Sequence, residues 1–152
     1  MTMQPATLDR ETIAARIPHQ GRMCLLAGVD AWDADVIRCR ATSHRDADNP
    51  LRDDSGLPAT SAIEYAAQAM AVHGALLARL RGNCAVRAGM LVSLREVQLF
   101  AEFVDQMDGR LDVHAECLYA GEGGAQYAFR VEHRGRLLAS GRAAVIHPSA
   151  DD

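Results

Sequence analysis

One long segment, residues 60–81, most constrains the fold of this 152-residue chain. Its sequence, TSAIEYAAQAMAVHGALLARLR, is rich in alanine, nearly neutral, and followed by glycine and asparagine, which commonly end a helix. A helix with such small, uncharged side chains suits close burial against a sheet better than exposure to solvent. The segment therefore predicts a single long buried helix, with Ala66, Ala67 and Met70 shielded from water.

The segments on either side of this helix predict strands. Upstream, residues 23–31 and 35–43 read as an antiparallel hairpin, and residues 7–16 as a short amphipathic helix. Downstream, four strands joined by hairpin turns are predicted at residues 88–102, 110–120, 125–134 and 136–147. A hairpin, a long helix and a meander together predict an α+β hotdog fold, in which one long central helix packs on a curved antiparallel sheet. Open sheet edges of this kind commonly pair in a dimer.

Length and composition exclude several classes of protein. We expect one domain spanning residues 1–152, with its core at about 17–147. The formal net charge is -4 and aromatic residues make up 5% of the chain, which argues against nucleic-acid binding. No apolar run approaches the ~20 residues of a membrane span, and no apolar signal segment opens the chain. The four cysteines form no C-x-x-C pair. We therefore expect a cytoplasmic protein with reduced thiols and no metal site.

Glu64 is the most unusual residue of the predicted helix. It is the only acidic residue between Asp54 and Glu96, and it lies in the second helical turn among apolar neighbours. Loss of hydration there would raise the pKa of the carboxyl group, which suits a general acid working near neutral pH. A capping box is the alternative, in which Ser61 caps the helix and Glu64 bonds back to the Ser61 amide.

Two histidines are candidates for a catalytic base. His44 ends the second predicted strand, and His19 lies just before the first. Because the start of one antiparallel strand faces the end of its neighbour, both would lie at the same end of the sheet. His73, within the long helix, is interpreted as a packed or interface residue.

Several motifs resemble the FabA/FabZ family of 3-hydroxyacyl-ACP dehydratases. LPATSAIEYAAQAM is similar to the central-helix segment of that family, with Pro58, Glu64 and Gln68 in the matching relative positions. Near the start, IPHQGRMCLL resembles the Pro-His-Arg segment and its following leucines, and LLASGRAAVI resembles the closing strand. The likeness spans residues 17–146. The combination of IPHQG, SHRDADNPLR and IEYAAQAMAVHG most resembles the branch associated with aryl polyene pigment synthesis.

The resemblance implies dehydration of a 3-hydroxyacyl thioester on an acyl carrier protein to a trans-2-enoyl thioester. A histidine would remove the C2 proton and Glu64 would protonate the departing hydroxyl, with no metal or redox cofactor. Backbone amides at the helix start, around Ala59 and Thr60, are expected to bind the thioester oxygen. In the family, the acid and the histidine usually come from different subunits. The acidic carrier protein is expected to dock on arginines near the pocket mouth, with Arg45, Arg52, Arg79, Arg81 and Arg87 as candidates.

One departure from the family pattern keeps other functions open. The family's catalytic histidine, in a Gly-His-Phe-Pro motif, corresponds to Pro50 here, so His44 or His19 would have to fill that role. DADNPLRDD is similar to a motif of hotdog (R)-specific enoyl-CoA hydratases, but Arg52 replaces the histidine of that motif. The alternatives are a hotdog acyl thioesterase, and a non-catalytic acyl-binding subunit that pairs with an active paralogue. The expected assembly is a homodimer, a higher oligomer or such a heteromer.

Overall fold

A computed structural model of the protein describes residues 4–15, 21–82, 90–121 and 123–146. The strands are β1 (Gln4–Asp9), β2 (Gly28–Trp32), β3 (Val36–Ala41), β4 (Met90–Leu99), β5 (Leu111–Gly121), β6 (Gly124–His133) and β7 (Arg136–Ile146). The helices are α1 (Arg10–Ala14) and α2 (Ala62–Leu80), and short 3₁₀ turns lie at Gly21–Met23, Ser43–Arg45 and Ala59–Ser61. Within these ranges, no helix combines the length and the apolar character needed to cross a membrane.

The strands form one seven-stranded antiparallel sheet in the order β1-β2-β3-β5-β6-β7-β4. Helix α2 packs against β3, β5 and β6, and so covers one face of the sheet. Because side chains alternate along a strand, the covered face collects buried apolar residues, among them Ile37, Cys39, Val113, Phe129 and Val131. The arrangement confirms the predicted α+β hotdog fold.

Helix α2 matches its sequence prediction closely. It follows the 3₁₀ turn Ala59–Ser61 and ends at Leu80. Gly82 has a φ of +83°, a left-handed conformation that glycine adopts without steric cost and that commonly follows a helix. Ala66 and Met70 are buried as expected, whereas Ala67 lies on the half-buried side of the helix. The burial of small side chains lets the helix lie close to the sheet.

The first predicted helix, at residues 7–16, is wrong in its extent. Residues up to Asp9 belong to strand β1, and the helix covers only Arg10–Ala14. Asp9 has an extended backbone, and its side chain accepts a hydrogen bond of 2.9 Å from the Thr12 amide. This N-cap starts the helix at Arg10, because it satisfies an amide that the first turn leaves free.

The first predicted strand, at residues 23–31, is regular only from Gly28 onward. In the stretch before it, the Leu25 amide donates to the side-chain oxygen of Gln68 over 2.8 Å, and the Gln68 amide group donates to the Met23 carbonyl over 2.5 Å. A buried glutamine on α2 therefore supplies the hydrogen bonds that a neighbouring strand would otherwise supply. Strand pairing begins only after this contact ends.

Candidate active site

Glu64 lies in the first turn of α2 and is half-buried. The capping-box alternative is not formed. Ser61 has a helical backbone, its hydroxyl donates to the Pro58 carbonyl over 2.6 Å, and its amide donates to the same carbonyl over 2.9 Å. In the part of the chain that the structure describes, the Glu64 carboxyl group has no hydrogen-bond or ion-pair partner. A ligand that binds Glu64 would therefore displace no hydrogen bond or ion pair of the described chain.

The helix turn that carries Glu64 is anchored on its inner side by buried polar contacts. The Tyr65 hydroxyl lies 2.7 Å from the Ser43 hydroxyl and accepts a hydrogen bond of 3.1 Å from the Asn49 amide group. One turn later, Gln68 is fully buried and bonds to residues 23 and 25. These contacts fix the rotation of α2 and thereby the direction in which Glu64 points.

The contacts around Tyr65 could not be predicted from local sequence patterns. Asn49 precedes a proline in a polar loop, where asparagine usually serves a turn, and its side-chain oxygen does accept a local bond of 2.9 Å from the Leu51 amide. Another of its side-chain contacts, with Tyr65, joins positions 16 residues apart. Such a long-range pairing has no local sequence signal.

A hollow of about 580 Å³ opens at the start of α2. Its walls come from the residues before the helix and from the end of β4, namely Pro58, Ala59, Thr60, Leu99, Phe100, Ala101 and Glu102. The hollow therefore combines an apolar wall with the amide-rich end of a long helix, where oxygen atoms carrying negative charge are favoured.

The two predicted amide donors at this hollow differ in whether they already have a hydrogen-bond partner. The Ala59 amide already donates to the Glu102 carbonyl over 2.9 Å, so in this structure it is occupied by a contact within the chain. Thr60 is exposed, and among the described residues its amide has no hydrogen-bond partner. Of the two predicted donors, the Thr60 amide is therefore the one that remains free.

His44 is fully buried in the 3₁₀ turn Ser43–Arg45, which follows β3. Its Nε2 lies 2.7 Å from the Met107 carbonyl, and because a carbonyl only accepts, Nε2 carries the proton and Nδ1 is the unprotonated atom. Nδ1 is shielded from water and has no partner among the described residues. Burial lowers the pKa of His44, so the ring is neutral near pH 7.

The structure of one chain does not bring the predicted acid and bases together. His44 contacts the Met107 segment rather than Glu64, and neither of these two residues lines the hollow at the start of α2. His19 lies outside the described residues. The described part of the molecule therefore supplies the acid and one free amide of the predicted site.

His73 is fully buried, on the side of α2 that faces the interior of the protein. Its Nε2 lies 2.8 Å from the Asp33 carbonyl, and its Nδ1 lies 2.8 Å from the Tyr127 hydroxyl. The carbonyl fixes the proton on Nε2, so Nδ1 accepts from the tyrosine. Burial lowers the pKa of His73, despite an opposing contribution from the Asp33 carbonyl.

Acid is expected to destabilise the protein through its buried histidines. His44, His73 and His114 all have lowered pKa values in the folded chain, so below pH ~6.5 the unfolded chain binds more protons. Their stabilising contribution is complete above that pH and is lost as the pH falls, by up to ~1.4 kcal/mol per pH unit for each histidine. Urea unfolding at pH 7.5 and 5.5 measures the difference. In His73→Gln the pH dependence should be shallower, and a stability that rises on acidification would contradict neutral buried rings.

Comparison with known proteins gives a family match and several structural neighbours. A family model described as ApeP-like, ApeP dehydratase, matches residues 11–152. No curated protein matches the chain. The dehydratase heterocomplex ApeI:P from Xenorhabdus doucetiae is similar at 27% identity, with 91% of this chain and 92% of that chain covered and a TM-score of 0.82.

More distant structural neighbours share the fold alone. AziG from S. sahachiroi is 22% identical, with 80% of this chain and 90% of that chain covered and a TM-score of 0.54. A thioesterase from Haemophilus influenzae is 11% identical, with 82% of this chain and 80% of that chain covered and a TM-score of 0.58. Because a fold hosts many chemistries, these two likenesses do not decide between dehydration and thioester hydrolysis.

Proposed function

This chain belongs to the ApeP-like dehydratase family, and from that premise we propose that it removes water from a 3-hydroxyacyl thioester carried on an acyl carrier protein. The product would be the trans-2-enoyl thioester. The observation that carries the proposal is Glu64, a half-buried carboxyl group without a partner among the described residues, on the turn that Tyr65 and Gln68 anchor. Its place relative to Pro58 and Gln68 is the one that the family resemblance assigns to the catalytic acid.

The proposed reaction needs an acid and a base on either side of the bond that becomes double. A histidine takes the proton from C2, the C2–C3 double bond forms, and the C3 hydroxyl leaves as water with a proton from Glu64. Negative charge grows on the thioester oxygen as the C2 proton departs. The free Thr60 amide at the start of α2 is the donor we assign to that oxygen, supported by the positive end of the helix dipole.

Incubation of the purified protein with a 3-hydroxyacyl carrier protein tests this proposal directly. An enoyl product that forms without release of the acyl chain is the expected result. Release of free acid would instead assign the thioesterase alternative. Absence of turnover, both alone and with a related dehydratase subunit, would refute a catalytic role.

A non-catalytic partner subunit is the second candidate function. Its support is the fully buried His44 together with Pro50 at the position of the family's histidine. The similar ApeI:P structure is a dehydratase heterocomplex. In this reading, the chain would complete a heteromer with a paralogue, and turnover would require both chains.

The edge strand β4 is the surface that we propose for the partner chain, whether a second copy or a paralogue. Residues 91–100 are all exposed, although six of them are large apolar residues: Leu91, Val92, Leu94, Val97, Leu99 and Phe100. We call this set the β4 apolar edge. β4 is the last strand of the sheet, so its outer backbone groups are also open to pairing. A long exposed edge with apolar side chains is favourable for association with another chain.

An acyl carrier protein is the proposed source of the substrate. Arg45, Arg79 and Arg81 are exposed, as a docking patch for an acidic carrier requires. Arg52 already forms an ion pair, in which its guanidinium lies 3.3 Å from the Asp105 carboxylate. Arg87 lies outside the described residues.

The two candidate bases are expected to respond differently to substitution. His19→Gln should lower turnover by ~10²–10⁴-fold if this residue is the base. His44→Gln should mainly lower stability, because the ring is buried and bonded to the Met107 carbonyl. Turnover and urea unfolding of both variants separate the roles. Full activity of His19→Gln with an inactive but stable His44→Gln would assign the base to His44.

A further inference from the structure

The face of the sheet opposite α2 has its own hollow, of about 780 Å³. Most of its lining comes from outward-facing residues of β3, β5, β6 and β7, including Arg38, His114, Arg130 and Arg142, and β4 contributes Glu96 and Gln98. Their strand neighbours Ile37, Val113 and Val131 face the covered side and are buried. The hollow and Glu64 therefore lie on different sides of the sheet, and the proposed dehydration does not use the hollow.

Basic side chains occupy directly opposite positions across this hollow. Arg38 on β3 is paired with His114 on β5, and His114 is paired with Arg130 on β6. Side chains in such pairs lie ~5 Å apart at Cβ, so Arg38 and Arg130 flank His114. This row of three residues presents two positive charges to the hollow, and an anion between them would be stabilised.

The acidic residues nearby leave the row only partly neutralised. Glu132 lies 3.1 Å from the Arg130 guanidinium and 3.6 Å from His114, and Glu96 lies 3.4 Å from Arg142. Arg38 has no carboxylate partner in the described part of the chain. The guanidinium of Arg38 is therefore free to bind an oxygen-bearing anion.

His114, at the centre of the row, has an unsatisfied nitrogen. Its Nδ1 is shielded from water and has no hydrogen-bond partner among the described residues. Burial and then the Arg130 charge lower the pKa of the ring, with a smaller contribution in the same direction from Arg38. Glu132 and Asp112 act in the opposite direction, and Glu116 also lines the hollow.

We propose that this hollow is a second ligand site, which binds a small organic anion with its phosphoryl or carboxylate oxygens between Arg38 and Arg130, above His114. The volume lies within the ~300–1,000 Å³ of small-molecule sites. Guanidinium groups on both sides supply charge-assisted hydrogen bonds to such oxygens. The outward-facing Val36, Ala128 and Leu137 give the remainder of the ligand an apolar surface.

Calorimetric titration at constant ionic strength tests the site, with pyrophosphate as the phosphoryl probe and citrate as the carboxylate probe. Saturable binding of either probe is expected, and the stronger of the two identifies the preferred anion. Arg38→Gln and Arg130→Gln should each weaken that binding by at least ~10-fold, about the value of one charge-assisted hydrogen bond. Arg95→Gln is the matched control, because Arg95 is exposed on β4 and does not line the hollow.

The pH dependence of binding gives an independent measure. Protonation of His114 would add a positive charge between Arg38 and Arg130, so the wild-type protein should bind the anion more tightly at pH 6 than at pH 8. His114→Gln should lose most of that difference. Failure of both probes to bind, or equal weakening by Arg95→Gln and Arg38→Gln, would overturn the proposal. Dehydratase turnover should be unchanged in Arg38→Gln, which separates this site from the one at Glu64.

Discussion

Replacing Glu64 with glutamine is expected to lower turnover of a 3-hydroxyacyl carrier substrate by ~10²–10⁴-fold. Glutamine keeps the size of the side chain and can still donate a hydrogen bond, but it cannot transfer a proton to the departing hydroxyl. The carboxyl group has no partner among the described residues, so the substitution breaks no contact there and the fold should persist. Steady-state rates together with urea unfolding measure both effects.

A matched substitution elsewhere in the chain distinguishes chemistry from general damage. Glu11 is exposed on the short helix α1, so Glu11→Gln makes the same chemical change away from α2. Its turnover should equal that of the wild-type protein. If Glu64→Gln retained more than about a third of wild-type activity, the proton would have to come from another group, and Glu64 would lose its proposed role.

Much of the fold could be predicted because the local signals agreed with one another. The alanine-rich composition of residues 60–81 gave the position of α2 to within two residues at either end. Glycine-containing turns gave the order and approximate limits of β5, β6 and β7. In such segments local conformation and tertiary packing favour the same structure, so a single sequence is informative.

The remaining differences arise where distant side chains replace local hydrogen bonding. Residues 23 and 25 are bonded to Gln68, 45 and 43 positions away, so their apolar run does not become a strand. The burial of His44 depends likewise on the Met107 carbonyl, 63 positions away. No periodic pattern encodes such contacts, and the sequence could place His44 at the sheet end without showing that its ring faces the interior.

The exposed strand β4 is a different case, because no other part of the described chain covers its apolar residues. Leu94 lies opposite Ala143, which in turn lies opposite Tyr127, and both of these residues are buried on the side that α2 covers. Leu94 itself remains 40% exposed. Leu94 therefore extends the buried face of the sheet to its edge strand. At that position its side chain can pack against a neighbouring chain.

Introducing a charge at this position should therefore separate the subunits. Leu94→Asp would bury a carboxylate without a partner in the proposed interface, which costs several kcal/mol and weakens association by ~10²–10³-fold. Leu118→Asp is the matched control, because Leu118 is 47% exposed on β5, three strands away in the sheet order. Light scattering after size-exclusion chromatography, with the paralogue present or absent, measures the assembly.

If the active site is shared between subunits, as the family resemblance implies, Leu94→Asp should also lose turnover while Leu118→Asp keeps it. An assembled, active Leu94→Asp protein would show that β4 is not the interface, and inactivity with intact assembly would show that Leu94 acts within one chain.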